Sequence, residues 1–231
     1  MRSTLFGSLL LTTALPAAES LEDTYARHGR LIVTSFVSAP FPHPSRAAGH
    51  QYQGEFYPAA KHNSDRTVAL FIPKGFREAR RVDFVVHFHG WQNNVAGTLQ
   101  QFKLIEQLIA SGRNAVLVIP EGPQNAPDSS GGQAGRSGRF RRFMEETLAT
   151  LRQRGGFAQT NFIAGGIILS GHRGGYRVMA AILDHGGLTS QVKEVWLFDA
   201  LYAQADKFQA WSATPGGRLV NFYPDNGGTK G

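Results

Sequence analysis

The sequence contains no cysteine. Disulfide bonds, thiolate catalysis and zinc sites built on cysteine are therefore excluded. Long apolar runs are also missing. The apolar stretch near the N-terminus, Leu5 to Leu15, is too short to cross a bilayer as a helix. We therefore expect no segment of this chain to span a membrane.

The first twenty residues have the pattern of an export signal. Arg2 supplies a positive charge, Leu5 to Leu15 supplies an apolar stretch, and the small residues of "PAAES" follow it. We predict that residues 1–20 are a signal peptide and that the mature protein is secreted or periplasmic. The chain has 231 residues and is 42% hydrophobic, so residues 21–231 are predicted to form one domain.

The formal net charge is +7, and much of the excess lies in "GRSGRFRRF", Gly135 to Phe143. A basic run of this kind can bind nucleic acid or an anionic surface. No nucleic-acid-binding motif accompanies it. We therefore interpret the run as the solvated start of a helix and expect no nucleic-acid partner.

Short apolar runs alternate with helical patterns along the chain. The predicted strands are Leu31–Val37, Thr67–Pro73, Val82–Gly90, Asn114–Gly122, Phe162–Gly171, Glu194–Ala200 and Arg218–Asp225. The predicted helices are Ala96–Gly112, Arg139–Gly156, Gly174–His185 and Tyr202–Trp211. Apolar strands that alternate with helices indicate a mostly parallel sheet covered by helices on both faces.

The segment Gly171-His172-Arg173-Gly174-Gly175 lies between a predicted strand and a predicted helix. Its spacing is that of a nucleophile elbow, glycine-x-nucleophile-x-glycine. In that turn the central residue takes a strained backbone, so that its side chain stands clear of the sheet. The flanking glycines let the next helix and the neighbouring strands approach closely. Arg173 holds the position of the nucleophile.

Together with two other segments, this elbow makes the sequence resemble the α/β-hydrolase family, of the secreted esterase or depolymerase kind. "VVHFHGW" resembles the His-Gly oxyanion-loop motif, and "RLVNFYPD" resembles the strand that ends in the triad acid. The resemblance implies that the backbone N–H groups of Gly174 and Trp91 are the two oxyanion donors, with His89 and Gly90 supporting the loop. It also implies an ester as the small-molecule partner and no cofactor.

The sequence departs from this family twice. Arginine stays protonated and has no usable acceptor, so Arg173 cannot attack a carbonyl. The triad acid would be Asp225 or Asp199, and the triad histidine should follow it, but the last histidine is His185. Triad members act as a unit, so either loss alone removes most triad catalysis. We therefore predict a protein derived from a secreted serine esterase that is inactive in ester hydrolysis.

The chain ends in the loop-like sequence "DNGGTKG". A natural mobile tail would explain this ending. The interpretation we favour is a truncated domain that lacks the last helix and strand of an α/β-hydrolase-like fold. The sequence does not specify an oligomeric state.

Two other functions stay open. Arg173, at a helix N-terminus beside oxyanion-type amides, could bind a small carboxylate or phosphate. His87 and His89, two residues apart on one strand, could serve a metal-dependent enzyme, although no third ligand is evident and our main interpretation includes no metal. The nearest hydroxyl, that of Ser170, is expected to point into the sheet, and His172 is expected to pack against neighbouring strands.

Overall fold

The computed structural model describes residues 19–225. The predicted signal peptide, residues 1–20, lies outside this range except for Glu19 and Ser20. The C-terminal tail from Asn226 to Gly231, on which the prediction of a truncated domain depends, also lies outside it.

The secondary structure alternates between strands and helices as the sequence pattern predicts. The strands are β1 (Gly29–Ser35), β2 (His50–Tyr52), β3 (Glu55–Tyr57), β4 (Thr67–Pro73), β5 (Arg81–Phe88), β6 (Ala115–Pro120), β7 (Ile163–His172), β8 (Val192–Phe198) and β9 (Arg218–Phe222). The helices are α1 (Leu21–Tyr25), α2 (Ala59–His62), α3 (Val95–Phe102), α4 (Leu104–Ala110), α5 (Arg139–Arg154), α6 (Tyr176–His185) and α7 (Ala205–Ser212).

Seven of the described strands form one sheet in the order β1-β4-β6-β5-β7-β8-β9. Strands β6, β5, β7, β8 and β9 run parallel to one another, whereas β4 is antiparallel to both β1 and β6. Strands β2 and β3 form a separate hairpin. The sheet is mostly parallel, as predicted. Strand β7 lies near the middle of the sheet, and a turn that leads into α6 follows it. The fold is α/β-hydrolase-like, which confirms the predicted class.

Both faces of the sheet are covered, and β5 shows how its side chains divide between them. Val82, Phe84, Val86 and Phe88 belong to the core under α5, α6 and α7, whereas Val85 belongs to the core under α1, α3 and α4. Alternate residues of a strand point to opposite faces, so an apolar run of this kind must be buried on both sides. Burying one such side chain stabilises the fold by about 1.5–3 kcal/mol.

Helix α5 shows why the basic run at its start does not interrupt folding. Phe140, Phe143, Met144, Thr147 and Leu151 recur at helical spacing and are buried. The arginines between them lie on the outer face of an amphipathic helix. The interpretation of this run as a solvated helix start agrees with that arrangement.

The structure differs from the sequence prediction between residues 96 and 112. One helix was predicted, but Lys103 takes a left-handed conformation, with φ 48°, and separates α3 from α4. A left-handed residue ends a helix. The Gln107 side chain donates a 2.6 Å hydrogen bond to the Phe102 carbonyl oxygen at this break. Nothing in the local sequence signals the break, because lysine has no preference for this conformation.

Within residues 19–225, no helix combines the length and the apolar character that a bilayer crossing requires.

Candidate active site

Arg173 lies at the tip of a sharp turn between β7 and α6. Strand β7 ends at His172, one turn of 3-10 helix covers Arg173–Gly175, and α6 begins at Tyr176. Arg173 has φ 45°, in the left-handed region. A side chain in that region costs about 1–2 kcal/mol. The turn therefore has the strained backbone of a nucleophile elbow, with arginine in the central place.

Two glycines of the turn are required by close approach. A Cβ atom on Gly174 would lie 2.6 Å from Ser129 Oγ and 2.8 Å from Trp91 Cδ1. A Cβ atom on Gly175 would lie 2.6 Å from the Phe88 carbonyl oxygen. Contacts this short do not occur in real structures, so only glycine lets α6 start this close to the sheet and the neighbouring loops. Gly171 lies on β7 itself, beside Phe88 of β5 and Leu197 of β8.

Asp199 is the acidic residue that the structure brings to the elbow. It directly follows β8, and its Oδ2 atom lies 3.6 Å from Arg173 Nε. The Tyr202 hydroxyl donates a 3.0 Å hydrogen bond to the same oxygen. Burial, together with this bond and the charge of Asp199, raises the pKa of Tyr202. One of the two candidates for the triad acid is therefore within ion-pair distance of the residue in the nucleophile's place.

Asp225, the other candidate acid, is exposed at the end of the described residues. Of the two candidate acids, Asp199 lies within ion-pair distance of Arg173.

The loop after β5 is held by a buried histidine–glutamate pair. His89 Nδ1 lies 2.9 Å from the Gly90 carbonyl oxygen, and its Nε2 lies 2.8 Å from Glu121 Oε1. Glu121 Oε2 in turn accepts a 3.1 Å hydrogen bond from the Val95 N–H at the start of α3. Both side chains of the pair are almost fully buried. His89 therefore fixes the shape of the loop that carries Gly90 and Trp91.

Trp91 packs over the elbow. Its indole contacts the region of Gly174, and its Nε1–H donates a 2.7 Å hydrogen bond to Ser129 Oγ. The ring of Tyr52, from the β2–β3 hairpin, meets the indole edge-on at 5.0 Å. Trp91 keeps 38% of its surface exposed. The side chain is thus a lid over the loop with one open face.

His172 lies between the elbow and α3. Its ring centroid is 4.7 Å from that of Phe102. Burial and the charge of Arg173 together lower the pKa of His172 to about 4, although the charge of Asp199 opposes the change. The sequence indicated packing against neighbouring strands, whereas the ring contacts Phe102 of helix α3.

Ser170 and His87 form a buried pair on the face of the sheet that α3 and α4 cover. His87 Nδ1 lies 2.9 Å from Ser170 Oγ, and both residues are at most 3% exposed. Burial and the neighbouring histidines lower the pKa of His87 to about 3. A base this weak activates a hydroxyl poorly. The arrangement therefore does not favour Ser170 as a substitute nucleophile.

The two histidines of the metal alternative have different partners. His87 contacts Ser170, whereas His89 contacts Glu121. Among residues 19–225, no group of three or more histidine, aspartate or glutamate side chains is placed to hold a metal ion.

Two residues near the elbow were not among the site residues predicted from the sequence. Glu121 follows β6, and Ser129 lies in the loop beyond it. The sequence provided a weak indication that Glu121 belongs to the site, because it directly follows a buried strand. Functional groups in parallel sheets usually lie at the carboxyl ends of the strands. Ser129 carried none, since its position depends on how a long loop folds back over Gly174.

Neither a family model nor a curated protein matches this sequence. Several solved structures have a similar backbone path. One is a ferulic acid esterase, with 14% sequence identity and a TM-score of 0.45. The similar region covers 76% of this chain and 62% of that protein. A fluorophosphonate-binding serine hydrolase of Staphylococcus aureus is similar at 11% identity and TM-score 0.43, covering 82% of this chain and 64% of that one.

The feruloyl esterase module from Clostridium thermocellum is similar at 10% identity and TM-score 0.44, covering 84% of this chain and 81% of that one. The chain thus spans less than two thirds of the length of the first two proteins. With identities this low and TM-scores below 0.5, the similarities do not carry those proteins' activities over to this chain.

Proposed function

We propose that this chain is an exported α/β-hydrolase-like protein, derived from a serine esterase, that does not hydrolyse acyl esters at its elbow. Acyl transfer requires a nucleophile that a nearby base can deprotonate. The observation that carries the proposal is Arg173 at the tip of the strained turn, with its guanidinium beside Asp199. A guanidinium offers donors only and keeps its charge at any working pH.

The histidines near the elbow support the same conclusion. His89 bonds Gly90 and Glu121, and His172 packs against Phe102. His87 lies beside Ser170 and is a weak base. Each of these three side chains has a structural role that explains its position without catalysis. The proposed export rests on the composition of residues 1–20.

Hydrolysis of p-nitrophenyl butyrate tests the proposal. We expect the protein to release p-nitrophenol no faster than its Arg173→Ala variant. A fluorophosphonate probe, which labels activated serines, should leave both proteins unlabelled. We expect Arg173→Ser to recover little activity, because a serine at the elbow still needs a base. Turnover by the unmodified chain that Ser170→Ala abolishes would contradict the proposal, and so would strong recovery in Arg173→Ser.

A second candidate function is the binding of a small carboxylate or phosphate at Arg173. The observation that favours it is exposure, because 56% of the Arg173 side chain is open to solvent and its ion-pair contact with Asp199 is long, at 3.6 Å. A long ion pair whose guanidinium is open to solvent contributes about 0–1 kcal/mol. A phosphate could therefore compete with the carboxylate for the guanidinium. The metal-dependent alternative has no comparable observation in its favour among the described residues.

A further inference from the structure

The end of the domain opposite the elbow is strongly basic. The elbow follows the carboxyl end of β7, whereas three segments meet at the other end of the sheet, where β5 and β7 begin. These segments are residues 26–30, 73–83 and 152–157. Together they contain eight lysines and arginines but only two acids. Since the whole chain has a formal charge of +7, this basic end accounts for most of the excess.

Direct contacts hold the three segments together. The Lys74 N–H donates a 2.8 Å hydrogen bond to the His28 carbonyl oxygen. Arg30 Nη1 donates a 3.1 Å hydrogen bond to the carbonyl oxygen of Arg154, the last residue of α5. The Glu78 carboxylate accepts hydrogen bonds from the backbone just beyond α5. The basic end is therefore one continuous surface built by β1, β4 and α5 with the loops that follow β4 and α5.

An open groove of about 480 Å³ lies on this surface, between the end of β4 and the end of α5. Its lining is mixed, because Arg30 and Lys74 supply charge while Phe76 and Phe157 supply apolar surface. The two rings are half-buried and meet edge-on, with their centroids 5.5 Å apart. The groove therefore places positive charge beside apolar surface.

Most cations of the basic end have no partner within the protein. The side chains of Lys74, Arg77, Arg80, Arg81 and Arg154 form no hydrogen bond and no ion pair with any other group of residues 19–225. All five are exposed. Cations this close together repel one another, so a bound anion would relieve their repulsion.

The two acids of the segments are already engaged by backbone groups. Glu78 Oε1 and Oε2 both lie 3.0 Å from the N–H nitrogen of Ala158, which donates to them. Asp83 Oδ1 accepts a 2.6 Å hydrogen bond from the Gly166 N–H. Neither carboxylate forms an ion pair with the neighbouring cations within residues 19–225. The surface therefore complements a molecule with several negative charges better than a single small anion.

The chemistry of the groove favours a linear acidic polysaccharide. Carboxylate groups match the planar donors of arginine, and the C–H groups of sugar rings need only apolar surface beside them. Single-stranded nucleic acid requires open ring faces on which bases stack, whereas Phe76 and Phe157 are half-buried and turned edge-on to each other. A membrane surface is bound by apolar side chains that insert into it, and the three segments carry no exposed large apolar side chain.

We propose that this groove and the cations around it bind a linear acidic polysaccharide, whose carboxylates pair with Lys74, Arg77 and Arg80. The inference goes beyond the proposed function, because the surface lies at the opposite end of the sheet from the elbow and does not depend on Arg173.

Hexagalacturonate and its methyl ester test the proposal, because they share one chain of sugars and differ in charge. Calorimetric titration of the purified protein in about 50 mM NaCl should show binding of hexagalacturonate and none of the methyl ester. Raising the NaCl concentration to about 500 mM should weaken the binding at least about tenfold, since salt screens interactions between exposed charges.

Two double variants remove the same charge from different places. Arg77→Gln with Arg80→Gln removes two cations that have no partner within residues 19–225, so the fold should persist while the affinity for hexagalacturonate falls about fivefold. Arg139→Gln with Arg142→Gln lowers the net charge equally at the far end of α5. This control should leave the affinity unchanged.

Four results would overturn the inference. Equal losses in the two double variants would mean that the general charge of the protein attracts the polymer. Equal binding of hexagalacturonate and its methyl ester would mean that the carboxylates are not recognised. Absence of binding at the lower salt concentration would mean that the groove does not take this class of polymer. Tighter binding of phosphatidylglycerol vesicles or oligothymidylate, at equal concentration of negative charge, would assign the surface to a membrane or a nucleic acid.

Discussion

Arg173 Nε lies 3.6 Å from Asp199 Oδ2, and both residues have left-handed backbones, with φ 45° and 46°. They follow neighbouring parallel strands, β7 and β8, and face each other across the carboxyl edge of the sheet. A residue other than glycine in the left-handed conformation lowers the stability of the fold by about 1–2 kcal/mol. A long ion pair whose guanidinium is open to solvent contributes only about 0–1 kcal/mol of stability. The ion pair therefore does not explain the strained turn, which belongs to the architecture of the elbow.

Replacing Arg173 with glycine should stabilise the protein relative to replacing it with alanine. Both substitutions remove the guanidinium, but only glycine adopts φ 45° without a steric cost. We expect Arg173→Gly to unfold at a higher urea concentration than Arg173→Ala, with a difference of about 1 kcal/mol in the free energy of unfolding.

Glu145 provides the matched control, because it is exposed in the middle of α5. There the order should reverse, with Glu145→Gly about 1 kcal/mol less stable than Glu145→Ala. If alanine were at least as stable as glycine at position 173, the turn would not hold the conformation described.

Removing the carboxylate of Asp199 should create an anion site at Arg173. In Asp199→Asn the guanidinium loses its ionic partner but keeps its place at the N-terminus of α6. A charged hydrogen bond contributes about 1.5–3 kcal/mol, which corresponds to a Kd of about 5–80 mM. Phosphate should therefore raise the melting temperature of Asp199→Asn in proportion to the logarithm of its concentration, and more than that of the unmodified protein.

Two further variants separate this site from the general positive charge of the protein. Adding Arg173→Ala to Asp199→Asn should abolish the phosphate-dependent shift. Adding Arg139→Ala, in the basic start of α5, should leave it intact. A shift of equal size in all of these proteins would mean that phosphate acts without binding at the elbow, and Arg173 would then have no role in anion binding.

Acid should weaken the fold partly through His87. Burial lowers the pKa of this imidazole to about 3, whereas a histidine in an unfolded chain titrates near about 6.5. Below that value the unfolded chain takes up a proton that the folded protein does not. The stability that depends on neutral His87 is complete above about pH 6.5 and is lost as the pH falls toward about 3, by up to about 1.4 kcal/mol per pH unit.

Urea unfolding at several pH values measures this contribution. His87→Phe should show a shallower loss of stability between about pH 6.5 and pH 4 than the unmodified protein. Val116→Ala in β6 lowers stability without removing a titratable group, so it should keep the original slope. Equal slopes in His87→Phe and the unmodified protein would mean that His87 becomes protonated in the folded state.

The elements that the sequence predicted well are those whose signal is local. Strand β4 has its predicted bounds, Thr67–Pro73, and α5 begins at its predicted first residue, Arg139. The apolar pattern and composition of such segments determine their secondary structure. The elbow was recognisable because its glycines and its place between strand and helix are written in five consecutive residues.

The parts that could not be predicted depend on contacts distant in sequence. The hairpin of β2 and β3 has only three residues in each strand, too few for an alternating pattern to stand out. The antiparallel position of β4 between β1 and β6, and the pairing of His89 with Glu121, depend on strand order. Strand order follows from packing of the whole domain, so no local motif encodes it.

Strand β9 forms one edge of the main sheet within residues 19–225, and the exposed rings of Phe222 and Tyr223 stand at its end. An open edge offers a row of peptide groups on which the strand of another molecule can assemble. The net charge of +7 opposes such encounters, but salt screens that repulsion. We therefore expect concentrated solutions of this protein to become turbid as the ionic strength rises and to stay clear in dilute buffer.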